Sequence, residues 1–331
     1  MTDYGVDNVI ITDVTLREYG QNIPAAYLHI FTPQIRIKIV FGLIEAGFTE
    51  IEILSCVHPK VAPAMNDGAI TEIAKGIGKI EGVHLITLVP NKAGYEHFLS
   101  AGLGPDGYDH TMAIFFSAVE AHNLANLGKP IGETVKEYTG ILKDAASRGI
   151  TAIGYISAAL GYLAPKNHAV IRPPIDHVSE YIDLLFGLGI SAVTLSDLQG
   201  VADQQQTQEF FDALLNRRKG GDTEKIGYHP HHVAGEQAIA NSGIAYDLGI
   251  RRFDSSLGGT GGCVTGAPGN QPTEGLIRYF HSLGIDTGID EQKVLFLTNM
   301  VQTELYNKIL LNQAAGQQSA LSNQQEEKNT Q

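Results

Sequence analysis

The chain has 331 residues, and its 23 Lys and Arg against 36 Asp and Glu give a formal net charge of −13. This acidity argues against nucleic acid or an anionic membrane as a partner, and no apolar run approaches the roughly 18 residues of a membrane span. Two cysteines, Cys56 and Cys263, cannot form a disulfide framework, and the N-terminus has no signal-peptide pattern. We therefore expect a soluble, cytoplasmic protein.

β-rich runs alternate with amphipathic helical stretches along most of the chain. The helix predicted over 32–47 shows the clearest ends, with Thr32 as N-cap, Pro33 in its first turn and Gly47 at its end. The predicted strands are 9–16, 49–57, 83–91, 111–118, 150–160, 191–200, 225–235 and 251–259. The predicted helices that follow them are 32–47, 66–79, 92–102, 133–148, 176–188, 203–217, 235–248 and 273–283.

Eight strand–helix units predict an α/β fold of the (β/α)8 TIM-barrel type, which usually needs roughly 250 residues. A doubly wound open sheet is the alternative, but it leaves the count of eight unexplained, and no Gly-rich dinucleotide loop follows the first strand. We expect the barrel over residues 1–289, an appended helix within 290–316 and a disordered Gln/Asn-rich tail over 317–331.

The active site of such a barrel lies at the carboxyl ends of its strands. Many polar residues occur there, and the metal-binding candidates are the most informative. His229 and His231 are two apart on a predicted strand, so both imidazoles face the same side. Two imidazoles with a carboxylate from another strand favour a divalent ion with open positions, although a single core histidine satisfied by a hydrogen bond is the simpler alternative. The other polar residues at these ends are Asp13, Arg17, Glu18, Glu52, Ser55, Tyr155, Ser157, Ser196, Asp197, His232, Cys263 and Asn270.

Arg17 and Glu52 suggest a buried ion pair. Glu52 lies in the apolar run IEIL and needs a partner, and Arg17 at the catalytic end is suited to an oxyanion. A structural salt bridge and a catalytic pair are both open at this point. Cys263, in a Gly-rich loop, is either a small core residue or a movable acid or base.

The chain resembles 3-hydroxy-3-methylglutaryl-CoA lyase and, more widely, the metal-dependent lyases and Claisen-type synthases built on (β/α)8 barrels. The resemblance extends over about residues 9–311. The segments that carry it lie in the family's order: DVTLREYGQN, FTPQIRIKIVFGLIEAGFTEIEILSCVHPKVAPAM, LVPN, SAVEAHN, GYISAALG, VTLSDLQG, GYHPHHVAG and GGCVTGAPGNQPTE.

The resemblance implies a role for each matching residue. Arg17 would stabilise an enolate oxygen and Glu52 would hold that arginine. His229 and His231 would bind the metal, with Asn270 as a further ligand or near-ligand. Asp197 matches a catalytic aspartate and Cys263 a loop cysteine that moves a proton. The pocket-lining positions are matched by Gln21, Ser55 and Tyr155.

Three positions depart from the family pattern. Glu18 replaces the Asp ligand that normally follows the arginine, and its extra methylene carries the carboxylate about 1.5 Å further. Val264 follows the cysteine in place of proline, and the stretch to Asn270 is two residues shorter. His232 stands where an Asp usually follows the His-x-His pair. These changes leave the metal chemistry in place but put the lyase's own substrate in doubt.

The leading hypothesis is a divalent-metal-dependent carbon–carbon lyase acting on a 3-hydroxy-3-methylglutaryl-CoA-like substrate. A metal held by Glu18, His229 and His231 would lower the pKa of the 3-hydroxyl, a base such as Asp197, or a group around a metal-bound imidazole, would take its proton, and Cys263 would protonate the enolate. The rivals are an aldolase or Claisen-type synthase acting on a 2-oxo acid, and a catalytically retired barrel that binds a metal or acyl ligand.

The ion and the partners are less specified. Mg²⁺ or Mn²⁺ fits a mixed oxygen and nitrogen site, while Zn²⁺ or Co²⁺ would be tolerated. The sequence contains no phosphate-binding loop, so whether the acyl substrate carries CoA is open. A homodimer is what the resemblance implies.

Overall fold

The computed structural model describes residues 9–218, 222–232, 236–261 and 269–309. Its parallel strands close into a barrel in which each strand pairs with its neighbours in sequence and the last pairs with the first. The predicted TIM barrel is therefore confirmed. The barrel strands are β1 (Ile10–Asp13), β2 (Glu50–Ser55), β3 (His84–Leu88), β4 (Thr111–Ser117), β5 (Ala152–Ser157), β6 (Val193–Asp197), β7 (Ile226–Pro230) and β8 (Arg252–Ser255).

Helices surround the barrel. They are α1 (Thr15–Asn22), α2 (Pro33–Ala46), α3 (Asp67–Ile77), α4 (Lys92–Ser100), α5 (Glu120–Leu127), α6 (Ile131–Ser147), α7 (Ile175–Gly187), α8 (Gln204–Arg217), α9 (Gln237–Asp247), α10 (Thr273–Ser282) and α11 (Glu291–Val301). Within the described ranges, none of them combines the length and apolar character needed to span a bilayer.

The first strand is shorter than the 9–16 predicted from the sequence, because a helix begins immediately after it. The Asp13 carboxylate accepts hydrogen bonds from the backbone N–H and the hydroxyl of Thr15, at 3.1 and 2.8 Å. A side-chain acceptor of this kind satisfies amides left free at a helix start. Arg17 and Glu18, which follow the predicted strand, therefore lie in the first turn of α1.

The ends of α2 are those that the sequence predicts. The Thr32 side chain accepts from the amide of Ile35, Pro33 is the first helical residue, and Gly47 closes the helix with a φ of 108°. A Cβ at Gly47 would also meet the backbone oxygen of Gly288 at 2.3 Å, so glycine is required there for space as well as for φ.

Besides α1, a helix and a hairpin of the described structure are additions to the predicted pattern. Helix α5 lies between β4 and α6, in the loop at the catalytic end. A short antiparallel hairpin, Tyr162–Leu163 with Val170–Ile171, follows β5 at the same end. Helix α5, with 8 residues, is shorter than the roughly 11-residue window in which helical periodicity is read, and each hairpin strand has 2 residues, so neither showed a pattern.

The main hydrophobic core lies between the strands and the surrounding helices. A smaller cluster of Ile86, Leu88, Ala113 and Tyr155 lies on other faces of the barrel strands. The amino-terminal end of the barrel holds a polar group in which Glu50 accepts from Thr12 at 3.0 Å and from Arg252 at 2.6 Å.

The chain beyond the barrel agrees with the expected appended helix as far as it is described. Helix α11 packs on α2, where Leu297 contacts Gly42, and it continues as a π-helical turn, Gln302–Tyr306. The tail over 317–331 lies outside the described residues, and the proposed domain boundaries remain predictions.

Candidate active site

A cavity of about 300 Å³ opens at the carboxyl ends of the strands. Most of the site residues predicted from the sequence lie on its wall. The polar part of that wall includes Arg17, Glu18, Gln21, Tyr155, His229 and His231. The remaining wall is largely apolar, with Val57, Val61, Leu88, Phe115 and Leu198 among its residues. The barrel therefore forms a pocket with one charged end and a broad apolar side.

Arg17 lies between two buried carboxylates. Its Nε donates to Glu52 Oε2 at 2.6 Å, and its Nη1 donates to Glu18 Oε1. Burial alone would lower the pKa of Arg17, but these carboxylates raise it above its ordinary value, so the guanidinium stays charged. Burial raises the pKa of Glu52 to about 7 against the opposing effect of Arg17. The suggested Arg17–Glu52 ion pair is present in the structure.

Glu18, His229 and His231 form a cluster suited to a divalent ion. One ligand atom from each residue lies within 4.8 Å of the others, and all three residues are buried. The Nε2 atoms of the two histidines are 3.1 Å apart. Burial opposes ionisation of Glu18, but Arg17 and then the two histidines outweigh it and lower the pKa of its carboxyl. A carboxylate facing two imidazole nitrogens is a common donor set for a divalent ion.

Asp254 on β8 fixes the orientation of one imidazole. Its Oδ2 lies 3.0 Å from Nδ1 of His229, and both side chains are buried. A carboxylate at Nδ1 places the ring proton there and leaves the Nε2 lone pair facing His231 and Glu18. This carboxylate–histidine pairing is typical of metal sites, so the residues present fit a bound ion.

Asn270 is placed next to the same cluster. Its backbone pairs with that of His231 in a single antiparallel β-bridge, and its Nδ2 donates to Thr260 O at 3.1 Å. Its Oδ1 is buried and has no hydrogen-bond partner among the described residues. Gly261 lies between Asn270 and Glu18. A Cβ at position 261 would be 2.6 Å from Glu18 Cβ and 3.0 Å from Asn270 Nδ2, so a side chain would not fit there. The free amide oxygen is consistent with the predicted role as ligand or near-ligand.

Two predicted site residues, Asp197 and Ser55, have backbone amides as their partners, and a third, Cys263, is not described. The oxygens of Asp197 accept from the amides of Val201 and Ala202, both at 2.9 Å, and burial raises the pKa of its carboxyl to about 6. The Ser55 hydroxyl accepts from the amide of Val57 at 3.3 Å. Neither side chain is part of the described cavity wall. Cys263 lies outside the described residues, and its role remains a prediction.

Two residues of the site were missed from the sequence alone. Asp254 was passed over because its partner, His229, is 25 positions away and is brought near only by the pairing of β7 with β8. His122 was passed over because it lies on the unpredicted helix α5, although it occurs in the SAVEAHN segment. It is 1% exposed and lines the cavity.

The arrangement can bind and activate an oxygen-rich acyl substrate. The carboxylate and imidazoles at one end can hold a divalent ion, and Arg17 beside them presents a permanent positive charge to an oxyanion. The apolar side of the cavity accommodates uncharged parts of the substrate.

Comparison with known proteins agrees with this geometry. Hydroxymethylglutaryl-CoA lyase of Bacillus subtilis (strain 168) is 32% identical over 299 residues, which cover 88% of this chain and 93% of that protein. The human mitochondrial hydroxymethylglutaryl-CoA lyase is 33% identical over 282 residues, covering 85% and 82% of the two chains. A solved HMG-CoA lyase from Acinetobacter baumannii, in complex with coenzyme A and 3-methylmalate, has a TM-score of 0.78 at 27% identity and covers 92% of this chain and 93% of its own.

A family model described as HMGL-like matches residues 8–301. The resemblance predicted from the sequence is thereby confirmed, and with it the prediction of an enzyme that is a carbon–carbon lyase. The chain belongs to the HMGL-like family.

Proposed function

We propose that this chain is a divalent-metal-dependent lyase that cleaves 3-hydroxy-3-methylglutaryl-CoA, or a close acyl-CoA analogue, to acetyl-CoA and acetoacetate or their counterparts. The observation that carries the proposal is the Glu18, His229 and His231 cluster lying beside Arg17 on one cavity wall. The relatives named as hydroxymethylglutaryl-CoA lyases support the substrate class. The neighbour in complex with coenzyme A and 3-methylmalate supports a CoA thioester.

Glu18, His229 and His231 would hold the ion, with the amide oxygen of Asn270 as a further donor. When bound, a divalent ion supplies Lewis acidity that lowers the pKa of a coordinated hydroxyl. Asp254 keeps the Nε2 lone pair of His229 available through its bond to Nδ1. The mixed donor set supports Mg²⁺ or Mn²⁺ as the ion.

Arg17 stabilises the negative charge that develops as the bond between C2 and C3 breaks. A base, for which the sequence proposes Asp197 or a group around a metal-bound imidazole, takes the proton of the 3-hydroxyl. The hydroxyl oxygen then becomes the carbonyl of the keto product, and the electrons of the C2–C3 bond pass to the enolate of the acyl thioester. Arg17 faces that oxyanion without reorganising, because Glu52 and Glu18 already hold its guanidinium in place. Protonation of the enolate at C2 completes the reaction, and the resemblance assigns this step to Cys263.

The oligomeric state and the cellular compartment are also proposals. The family resemblance supports a homodimer. The presence of only two cysteines in 331 residues supports a reducing compartment such as the cytoplasm.

Substitution His229→Ala tests the proposed function directly. We expect loss of both Mn²⁺ binding, measured by calorimetry, and acetoacetate formation from 3-hydroxy-3-methylglutaryl-CoA. His232→Ala is the matched control, because His232 directly follows His231 in the sequence but is outside the three-residue cluster. Retention of metal and turnover by His229→Ala would exclude this site.

A further inference from the structure

His122 is a buried histidine whose ring nitrogens have no hydrogen-bond partner among the described residues. It lies on α5 and is 1% exposed, and both Nδ1 and Nε2 are shielded from water without a hydrogen-bond partner in the described structure. Its ring lines the cavity and stacks at a tilt against Tyr162, with the ring centroids 5.0 Å apart. Asn126, one helical turn further along, lines the same cavity. This face of α5 therefore borders the cavity.

The neighbouring residue shows that α5 is held firmly. Asn123 accepts from the amide of Ser117 at 2.9 Å and donates to Lys129 O and Thr134 Oγ1 at 2.8 and 3.0 Å. These bonds join α5 to the end of β4 and the start of α6. Asn123 therefore anchors α5 through hydrogen bonds, whereas the ring nitrogens of His122 form none with the described residues.

A polar side chain buried without partners costs folding free energy, since it gives up water and gains nothing in return. An apolar residue at position 122 would avoid that cost. A histidine at this position of the cavity wall is explained if a bound ligand supplies the missing hydrogen-bond partner.

The ring is neutral, which restricts the partner. Burial lowers the pKa of His122 to about 4, and no other cause contributes to that shift. The neutral imidazole offers one N–H donor and one acceptor. None of the hydrogen bonds that the described structure gives for Arg17 and His229 involves His122. An uncharged oxygen in the acyl arm is therefore a better match than a carboxylate, whose burial beside a neutral ring would be costly.

We propose that His122 is a substrate-positioning residue that donates a hydrogen bond from its neutral imidazole to an uncharged carbonyl oxygen of the acyl thioester arm. The inference rests on the proposed function, since it names a contact to that substrate. It predicts that His122 sets the affinity for the substrate and contributes little to the chemical step.

The test compares His122→Leu with wild type in steady-state cleavage of 3-hydroxy-3-methylglutaryl-CoA and in thermal unfolding at pH 7.5. Loss of one hydrogen bond should raise KM about tenfold, with kcat within about twofold of wild type. The unfolding temperature should stay the same or rise, because unpartnered buried nitrogens are removed. His122→Asn and His122→Gln return an amide donor near Nδ1 or near Nε2, and one of them should recover part of the affinity.

His110→Leu is the matched control. His110 is also buried, at 2% exposure, but its Nδ1 bonds to Thr87 Oγ1 at 2.8 Å and it is not on the described cavity wall. It should lower the unfolding temperature and leave KM unchanged. If the wild type is active, an unchanged KM in His122→Leu would overturn the role of His122 without touching the proposed function. A lower unfolding temperature in that variant would do the same. An inactive, metal-loaded wild type would overturn the proposed function and this contact with it.

Discussion

Substitution Asp254→Asn changes the acceptor that the structure places 3.0 Å from Nδ1 of His229. The carboxylate can only accept a hydrogen bond from that nitrogen, so the ring proton stays at Nδ1. An asparagine amide can also donate to Nδ1, which favours the tautomer with the proton on Nε2. That tautomer removes the lone pair directed toward His231 and Glu18.

The expected effect is a loss of metal affinity without unfolding. Removing an outer carboxylate of this kind costs about 10- to 100-fold in metal affinity, or about 1.4 to 2.7 kcal/mol. Asn has nearly the same volume as Asp, and the site is buried on all sides, so the packing of β8 should be preserved.

The assay is calorimetric titration of the metal-free protein with Mn²⁺. Glu50→Gln is the control, because Glu50 is another carboxylate inside the barrel but bonds to Thr12 and Arg252 at the opposite end. It should retain wild-type affinity. If Asp254→Asn binds Mn²⁺ as tightly as wild type, then Asp254 does not hold His229 in the tautomer that binds the metal.

Other predictions follow from the same contacts. Glu52→Gln removes one of the two charges that hold Arg17, and we expect kcat to fall about 10- to 100-fold with Mn²⁺ affinity retained; an unchanged kcat would contradict the role of the pair. Glu18→Asp withdraws a carboxylate by about 1.5 Å, and calorimetry should show Mn²⁺ affinity reduced about tenfold, while equal affinity would exclude Glu18 as a ligand. Burial lowers the pKa of His122 to about 4 from an ordinary 6.5, so the unfolded chain binds more protons between these values and wild-type stability is lost as pH falls through that window. We expect the free energy of unfolding, measured with denaturant, to fall between pH 7 and pH 5 by about 2 kcal/mol less in His122→Leu than in wild type. Equal falls in the two proteins would show that this ring is protonated in the folded state.

The barrel could be predicted because its units repeat. Each strand is a short apolar run and each following helix has an amphipathic face, so eight units are countable without knowing any contact. The start of α1 was less predictable, because the apolar residues after Asp13 continue the strand pattern. In the structure the backbone N–H and the hydroxyl of Thr15 donate to the Asp13 carboxylate, and the helix begins there. Helix α5 has no side-chain cap at its start, so it gave no sequence signal.

The site was predictable where positions close in sequence supply two residues. His229 and His231 are two positions apart, and Arg17 with Glu18 are consecutive, so their proximity needs little tertiary information. Partners that depend on the pairing of strands, such as Asp254, were not visible. For Asp197, position at a strand end did not reveal that backbone amides of the following loop occupy both carboxylate oxygens.

The central claim is metal-dependent cleavage of an acyl-CoA by this cavity, and one measurement tests it most directly. Purified protein is incubated with 3-hydroxy-3-methylglutaryl-CoA and Mg²⁺ or Mn²⁺, then with EDTA, and acetoacetate is followed over time. We expect acetoacetate that appears with the metal, stops with EDTA and returns when the ion is restored. A folded, metal-loaded protein that forms no acetoacetate, or one whose rate EDTA leaves unchanged, would contradict it.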